Sequence, residues 1–297
     1  MCSEEKLCFF CNEPSIKISL RRKALVFDRQ TFRYGRCNGC SGYSLYPLLT
    51  NITLEKLYST EYLEVDSACS DFEGIDGKGY RISLENLSQL PIARKTVVDF
   101  GSGAESKVRE LIANLDGVYL GVEFSPTLVE YLKSHYPEAK YIDVNEFYKL
   151  NRKFDYIFLG DVLEHLSPPL PTLVSLVSKL NHDGKLLIQG PLENSSSLSH
   201  FLIEIRSILS KGRAAPFPPY HVSLASRRAI LRLMDVAGLK VETIVTYEVS
   251  WPVKPISKFF NNSLMEQLKM LAKQIDFLMS LLLKKKGNRF FLVASRK

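Results

Sequence analysis

The segment "KTVVDFGSGAES" (residues 95–106) decides the fold of this chain. Its apolar run, residues 97–100, is typical of a short buried strand, and Gly101-Ser102-Gly103 is typical of a tight turn. Residues 106–115 then place apolar side chains at helical spacing. The segment therefore predicts a strand, a glycine turn and a helix, a unit in which backbone amides at the helix start face a ligand.

Asp99, just before the turn, discriminates between two ligand classes. A dinucleotide would place its pyrophosphate on the helix N-terminus, and a carboxylate at this position would repel it. The third position of the dinucleotide fingerprint is also Ser106 rather than glycine or alanine. S-adenosylmethionine carries a sulfonium, an ammonium and a ribose diol but no phosphate, so the acid favours this ligand.

Acidic residues end three further predicted strands. These are "GVYLGVEFS" (117–125) with Glu123, "AKYIDVNEF" (139–147) with Asp143 and "FDYIFLGDVLEHL" (154–166) with Asp161, and "GKLLIQGP" (184–191) is a fifth strand. Glu123 lies 24 positions after Asp99, close to where a nucleoside-binding unit places its ribose acid. Helical patterns at 125–135, 145–151 and 170–180 separate the strands, which predicts a parallel sheet with ligands at the strands' carboxyl ends.

The stretches "VVDFGSG", "GVEFS", "YIDV" and "FDYIFLGDVLEHL" resemble, in order, the cofactor motifs of class I S-adenosylmethionine-dependent methyltransferases. The resemblance covers residues 78–297. It implies an α/β fold with a Rossmann-like, seven-stranded, doubly wound sheet. The segments 239–248 and 288–297 resemble the family's last two strands, of which the final one inserts antiparallel.

The resemblance also implies a role for each motif residue. Asp99, Gly101, Ser102 and Gly103 would cradle the methionine part of the cofactor, Glu123 would hold the ribose hydroxyls with Phe124 against the adenine, Asp143 would bond the adenine amine beside Val144, and Gly160 and Asp161 would line the methionine end. One departure is Glu105, where the family often has glycine. Glu105 either signals weaker cofactor binding or simply complements the helix dipole.

Four of the six cysteines form two C-x-x-C pairs, "CFFC" (8–11) and "CNGC" (37–40). Two such pairs can hold one metal ion in a tetrahedral thiolate site, and 25 intervening residues leave room for a small hairpin built from "IKISL", "ALVF" and "QTFRYGRC". Disulfides are the alternative. We expect a structural Zn²⁺ ion on Cys8, Cys11, Cys37 and Cys40, in a small zinc-ribbon-like module.

We expect three segments: a zinc-binding module at 1–48, a helical linker or cap at 49–92, and a methyltransferase domain at 93–297 with a helical insertion at 253–287. This order resembles bacterial methyltransferases that modify sugars or other small metabolites. That resemblance implies that Tyr58, Tyr62, Tyr80 or Arg81 closes over the cofactor, whereas the simpler interpretation is that the tyrosines pack the domain junction.

Charge and hydropathy limit the partners and the compartment. The net charge is +7, but residues 200–297 carry 17 Lys and Arg against 6 Asp and Glu, so the basic excess is confined to the last third. This indicates an anionic partner or a set of solvated faces. The chain starts with no basic-then-apolar signal peptide and contains no apolar run of ~18 residues, so we expect a cytoplasmic protein, with membrane-peripheral contact as an alternative.

Two histidines are candidate general bases for methyl transfer. His221 lies after the fifth strand and before a helix predicted at 223–237, on the substrate side of the sheet, with Tyr220 beside it. His165 follows the fourth strand and resembles a histidine that many family members place near the pocket. A structural role for either histidine is the alternative.

The insertion "SLMEQLKMLAKQIDFLMSLLLKKKG" (263–287) predicts a helix, with Ser263 and Glu266 in capping-box spacing. Its apolar positions 264, 268, 271, 275, 278 and 282 form a heptad-like stripe. A second copy of the helix, the helix predicted at 200–211 or a lipid surface could cover this stripe. The mixed signs of the mid-helix charges favour a homodimer through 263–286 over peripheral membrane contact.

The sequence therefore predicts an S-adenosylmethionine-dependent methyltransferase of a small molecule, with a sugar nucleotide, a glycan precursor or a secondary metabolite as the leading substrate class, anionic or lipid-linked. An RNA methyltransferase is the second hypothesis, and nucleic acid is the less favoured partner because "RRK" (21–23) is the zinc segment's one basic cluster. A degenerate fold that serves as a binding scaffold is the third.

Overall fold

The computed structural model describes residues 7–14, 16–57, 84–104, 107–192, 197–249, 264–283 and 286–297. The chain forms two compact units, each built from three segments. The first unit takes 1–79, 191–233 and 245–290, and the second takes 80–190, 234–244 and 291–297. The predicted segment boundaries after residues 48 and 92 stay a prediction, and the two compact units divide the chain differently.

The elements follow one another in chain order. The strands are β1 (Ile16–Ile18), β2 (Leu25–Phe27), β3 (Gln30–Cys37), β4 (Tyr43–Tyr46), β5 (Thr96–Phe100), β6 (Val118–Glu123), β7 (Lys140–Asp143), β8 (Phe154–Gly160), β9 (Leu180–Pro191), β10 (Ser223–Leu224), β11 (Leu239–Tyr247) and β12 (Arg289–Arg296). The α-helices are α1 (Asn51–Leu57), α2 (Lys107–Asn114), α3 (Pro126–His135), α4 (Val144–Lys149), α5 (Pro169–Ser178), α6 (Leu198–Leu209), α7 (Arg227–Val236) and α8 (Leu264–Leu282). A 3₁₀ turn spans Leu163–His165, and 84–88 is helical.

The first unit contains a small antiparallel sheet in the order β1-β3-β4-β10, with β2 paired to β3. The three strands predicted between the cysteine pairs are present as β1, β2 and β3. The helix predicted at 223–237 is shorter than expected because Ser223 and Leu224 pair with Ser44 and Tyr43 of β4, so α7 begins only at Arg227.

The second unit contains a mixed seven-stranded sheet in the order β11-β12-β9-β8-β5-β6-β7. The pairs β5–β6, β5–β8, β6–β7 and β8–β9 are parallel. Helices α2 to α5 alternate with these strands, and β12 is inserted between β9 and β11. The predicted Rossmann-like, doubly wound fold is confirmed, and its topological switch point lies between β5 and β8.

The continuous apolar runs of the central strands follow from burial on both faces of the sheet. Val97, Val98 and Phe100 of β5 are fully buried, as are Ile157 and Leu159 of β8. Local signals fix the helix starts. For α3, the Ser125 hydroxyl accepts a hydrogen bond from the backbone N–H of Leu128, and Pro126 occupies the first turn.

Several features named from the sequence lie outside the described residues: Glu105, Ser263, the side chain of Glu266, and the residues expected to close over the cofactor, Tyr58, Tyr62, Tyr80 and Arg81. The two cysteines outside the C-x-x-C pairs, Cys2 and Cys69, are not described either. The predicted insertion helix is present as α8, whereas residues 253–263 of the insertion are not described. Among the described helices, none combines the length and the hydropathy that crossing a membrane requires.

Candidate functional site

The glycine turn after β5 requires its two glycines. Gly101 has a φ of 81° and Gly103 a φ of 63°, values that L side chains rarely adopt. A Cβ atom on Gly101 would lie 2.4 Å from Cγ2 of Val162, whereas a Cβ on Gly103 would meet no atom of the described residues within 4 Å. Among the described residues, the turn therefore packs on its Gly101 side and is open on its Gly103 side, where a ligand can approach the backbone.

Glu123, at the end of β6, ties this turn to the next loop. Its carboxylate accepts hydrogen bonds from the backbone N–H groups of Gly103 (3.0 Å), Phe124 (2.6 Å) and Ser125 (3.2 Å). The side chain is buried, with 8% of the residue exposed. Because a carboxylate with several backbone donors is held in one orientation, Glu123 fixes two adjacent strand-end loops relative to each other.

Asp99 is buried beneath the turn, at 3% exposure. Its carboxylate accepts a hydrogen bond from the Tyr119 hydroxyl at 3.0 Å. Tyr119 lies on the adjacent strand β6, and its ring contacts that of Tyr141 edge to face at 5.8 Å. No sequence pattern indicates a role for Tyr119, because an aromatic residue in a strand is ordinary and its hydrogen-bond partner is set by the pairing of strands in the sheet.

Asp161, directly after β8, has a φ of 55°. Its carboxylate accepts a hydrogen bond from the Gln189 side-chain amide at 2.8 Å, and its N–H donates to the Gln189 carbonyl at 3.1 Å. Gln189 of β9 is fully buried and opposite Gly160 in register. A polar residue inside the apolar run "LLIQGP" is a signal that sequence reasoning could have used to find Gln189.

The remaining predicted cofactor residues follow β6 and β7. Phe124 is 47% exposed and its ring lies 5.3 Å from that of Phe100, edge to face. Asp143 is the β7 partner of Glu123 in register, and it caps α4 by accepting the N–H of Glu146 at 2.9 Å. Val144 follows directly as the first residue of α4. Sheet register therefore brings the Glu123 and Asp143 strand ends side by side.

Two buried polar atoms at these strand ends have no hydrogen-bond partner among the described residues: the Ser102 hydroxyl and the Gln189 side-chain carbonyl. An unpaired buried polar group costs about 1–3 kcal/mol, so each is suited to a polar ligand group. The donors, acids and open glycine thus suit a ligand with amino and hydroxyl groups and no phosphate.

A family model described as "Methyltransferase domain" matches residues 78–244, which is more than half of the chain. The chain belongs to the methyltransferase domain family. The predicted resemblance to class I S-adenosylmethionine-dependent methyltransferases is thereby confirmed. No curated protein sequence matches this methyltransferase significantly.

Solved structures with the same fold include two methyltransferases with named substrates. The 1,6-didemethyltoxoflavin-N1-methyltransferase of Burkholderia thailandensis is 12% identical, with 93% of this chain and 99% of that chain covered and a TM-score of 0.55. The plantazolicin methyltransferase BamL is 15% identical, with 82% and 94% covered and a TM-score of 0.52. A chain from the complex of the Haloferax volcanii Trm112 methyltransferase activator is 16% identical, with 78% and 95% covered and a TM-score of 0.55. At identities of 12–16%, these similarities show only that this methyltransferase has the same fold as those proteins.

The two candidate bases of the methyltransferase belong to different compact units. His165 ends the 3₁₀ turn after β8 and is half-buried. His221 precedes β10, and its backbone carbonyl accepts a hydrogen bond from the Tyr34 hydroxyl at 2.6 Å. Their catalytic roles stay a prediction.

The four cysteines of the two C-x-x-C pairs lie together in the first unit, buried and unbridged. All four sulfur atoms lie within 4.8 Å of one another, with Cys8–Cys40 and Cys11–Cys37 at 3.5 Å. Backbone N–H groups point at the sulfurs, from Phe10 to Cys8 at 3.5 Å, from Cys40 to Cys37 at 3.5 Å and from Gly42 to Cys40 at 3.4 Å. The predicted grouping of these cysteines is confirmed.

Proposed function

We propose that this protein transfers the methyl group of S-adenosylmethionine to a small molecule. The observation that carries the proposal is the Glu123 carboxylate, which holds the turn after β5 against the loop after β6, at the carboxyl ends of parallel strands. The cofactor supplies an activated methyl group on a sulfonium. The protein supplies the orientation of both substrates and a site for the proton that leaves the acceptor.

We assign the cofactor contacts to the predicted residues. Asp99 and the Gly101–Gly103 turn face the methionine part, with the unpaired Ser102 hydroxyl as a further partner. Glu123 lies nearest the ribose, Phe124 and Asp143 beside the adenine, and Asp161 at the methionine end. The two buried unpaired atoms, open space at Gly103 and the absence of a lysine or arginine among these residues support this assignment over a phosphate-bearing ligand.

We assign the substrate to the class of small metabolites, with a sugar nucleotide, a glycan precursor or a secondary metabolite as the leading candidates. Two neighbours with this fold are methyltransferases of plantazolicin and of 1,6-didemethyltoxoflavin. We keep His221 as the first candidate base and His165 as the second.

Contacts of the basic cluster at residues 21–23 weigh against RNA as the substrate. Arg21 pairs with Glu204 at 3.2 Å. Arg22 is 8% exposed, lies 3.9 Å from the same carboxylate and stacks over the Tyr43 ring at 5.1 Å. Both arginines therefore share one carboxylate within the same unit, so the cluster presents less net positive charge to a phosphate backbone than its sequence indicates.

We further propose that the cysteine cluster holds one structural Zn²⁺ ion. A tetrahedral site with Zn–S bonds of about 2.3 Å has sulfur–sulfur edges of about 3.8 Å, close to the spacing of the cluster. The Cys40 thiol lowers the pKa of Cys8 to about 5, whereas burial raises the pKa of Cys11 to about 12. A divalent cation would stabilise neighbouring thiolates that burial disfavours, and four sulfur ligands leave no open position for catalysis.

Glu123→Ala tests the assignment of the cofactor. We expect isothermal titration to show S-adenosylmethionine binding by the wild-type protein and at least a tenfold loss of affinity in the variant. The matched control is Glu130→Ala, because Glu130 is exposed on α3, where it pairs with a neighbouring lysine, Lys133. Unchanged affinity in Glu123→Ala would remove the ribose role. Incubation with labelled cofactor and separate sugar-nucleotide, lipid and RNA pools then identifies the acceptor class.

A further inference from the structure

Helices α6 and α8 pack together in the first unit through a small seam. Asp276 of α8 is buried at 6% exposure, and its carboxylate accepts the N–H groups of Leu198 (2.7 Å) and Ser199 (2.8 Å) at the start of α6. Ala272, one turn earlier on the same face, is 2% exposed. The seam therefore uses an alanine and an aspartate, and it does not use the leucines of the heptad-like stripe.

The stripe on α8 is left exposed. Its described members are exposed as follows: Leu268 46%, Leu271 49%, Ile275 39%, Leu278 58% and Leu282 76%. Phe277 and Leu281 widen this face, at 36% and 65%. We expect another molecule to cover this side of α8, because single exposed apolar side chains are ordinary on a protein surface but a contiguous apolar face is not.

Helix α6 and the segment after it add to the same kind of surface. Phe201 is 57% exposed, Ile208 47%, Leu209 79% and Phe217 64%. Of the 25 large apolar side chains that are exposed in the described chain, 14 lie within 198–217 and 268–283. The exposed apolar surface is therefore concentrated on these two helices and their ends, which we call the apolar face.

The described charges of these helices fall into an engaged group and an exposed group. Glu204 of α6 is turned toward Arg21 and Arg22, and Asp276 of α8 is buried in the seam. Lys273 faces the buried carboxylate of Glu248. In contrast, three basic residues at the end of α6 are exposed to solvent, Arg206, Lys211 and Arg213.

This arrangement weakens the argument for a homodimer. Of the four mid-helix charges of α8 that favour self-association, Lys273 and Asp276 are engaged inside the unit, and the side chains of Glu266 and Lys269 are not described. The described positions that flank the stripe at heptad spacing are the half-buried Gln267 and the exposed Gln274 and Leu281, so the oppositely charged pairs that specify coiled-coil partners are absent from these positions. An apolar face bordered by bases is complementary to an anionic bilayer surface.

We propose that the apolar face formed by α6 and α8 docks this protein on the surface of an anionic phospholipid bilayer. The apolar side chains enter the boundary between headgroups and acyl chains, and Arg206, Lys211 and Arg213 contact the phosphates. The helices lie in the plane of the surface and do not span it, consistent with the result for the described helices.

Vesicle sedimentation of the full chain tests this proposal. We expect binding to vesicles of phosphatidylglycerol and phosphatidylcholine, at least tenfold weaker binding to phosphatidylcholine alone, and a marked loss at high salt. Leu271→Glu/Leu278→Glu and, separately, Lys211→Glu/Arg213→Glu should each lower binding at least tenfold. Ile52→Glu/Val174→Glu, at exposed apolar positions of α1 and α5, is the matched control and should bind like the wild type.

Circular dichroism and cofactor titration establish that each variant is folded. Absence of wild-type binding to anionic vesicles overturns the proposal, and so does equal binding by the control and the Leu271→Glu/Leu278→Glu variant. A dimer in sedimentation velocity without vesicles, reduced to a monomer by Leu271→Glu/Leu278→Glu, would instead assign the apolar face to a second copy of the chain.

Discussion

The Asp99 carboxylate is hydrogen-bonded by a residue that lies outside the sequence motif containing Asp99. The motif places a carboxylate before the glycine turn, and the sheet then supplies the Tyr119 hydroxyl at 3.0 Å. Residue types and spacings along one strand could be predicted because they are local. The partner on the next strand could not, because it depends on the β5–β6 register, which pairs Val97 with Tyr119 and Asp99 with Gly121.

We expect Tyr119→Phe to weaken S-adenosylmethionine binding at least tenfold, because one hydrogen bond to a buried carboxylate is worth about 1.5–3 kcal/mol. The substitution keeps the ring but removes this donor from the buried Asp99 carboxylate, so the thermal midpoint should fall as well. Isothermal titration measures the affinity, with Tyr131→Phe on the exposed face of α3 as the matched control. An affinity equal to that of the control would show that Asp99 needs no orientation by Tyr119.

Glu248 gives the protein a pH-dependent stability. Burial, followed by repulsion from Asp276, raises the pKa of Glu248 to about 7, although Lys273 and the backbone N–H of Asn288 favour its charged form. The folded state therefore holds a proton that the unfolded state releases at lower pH. The free energy of unfolding should fall by on the order of 1–3 kcal/mol as the pH rises from about 4.5 to about 7.

Urea unfolding at pH 5 and at pH 7.5 measures this difference, and we expect Glu248→Gln to remove most of it. Glu242→Gln is the matched control. A hydrogen bond from Lys185 lowers the pKa of Glu242, so its contribution is lost only at more acidic pH. The same pH dependence in Glu248→Gln and in the wild type would exclude Glu248 as its source.

At the scale of elements, the sequence predicted α8 but not the side of the helix that would be buried. The heptad-like leucines are the most apolar positions, so their burial was the natural expectation. Asp276 instead turns inward, because its carboxylate meets the otherwise unpaired N–H groups at the start of α6. A helix can therefore be oriented by one polar contact that hydrophobic periodicity does not reveal.

The two C-x-x-C turns form an element whose geometry the sequence did predict, because the spacing within each pair fixes a tight turn. We expect elemental analysis to give about one zinc ion per chain. Cys37→Ser should lose the zinc and lower the thermal midpoint, since Cys37 is fully buried in the cluster. Cys69→Ser is the matched control because Cys69 lies in neither C-x-x-C pair. A metal-free wild-type protein would refute the zinc site.

At the scale of the whole molecule, alternating strand and helix patterns were sufficient to predict the five parallel strands of the second unit, whereas β11 and β12 were predicted from the family resemblance. The fold of the first unit could not be predicted in this way. Segment 191–233 follows the fifth parallel strand in sequence, yet it folds with the N-terminal strands because Ser223 and Leu224 extend their sheet beside β4. Such pairings join residues more than 150 positions apart, and no local pattern encodes them.

The predicted boundary at residue 93 can be tested by truncation, and we expect a chain of residues 93–297 to be insoluble or to lack a cooperative unfolding transition. Removing residues 1–92 leaves β10 without β4. It also removes the Val26 N–H that donates to the Ala215 carbonyl at 2.9 Å, and the Leu20 carbonyl that accepts the Ser207 hydroxyl at 2.7 Å. Segment 191–233 would then expose apolar surface and unpaired backbone groups.

Size-exclusion chromatography and thermal unfolding measure the outcome of this truncation. A chain of residues 7–297 is the matched control, because it retains the described strands of the small sheet and all four clustered cysteines. Coexpression of residues 1–92 as a separate chain should restore solubility to 93–297 if the missing contacts are the cause. A soluble, cooperatively unfolding 93–297 chain would instead show that the methyltransferase domain folds within the boundary predicted from the sequence, and that segment 191–233 joins the N-terminal sheet without depending on it.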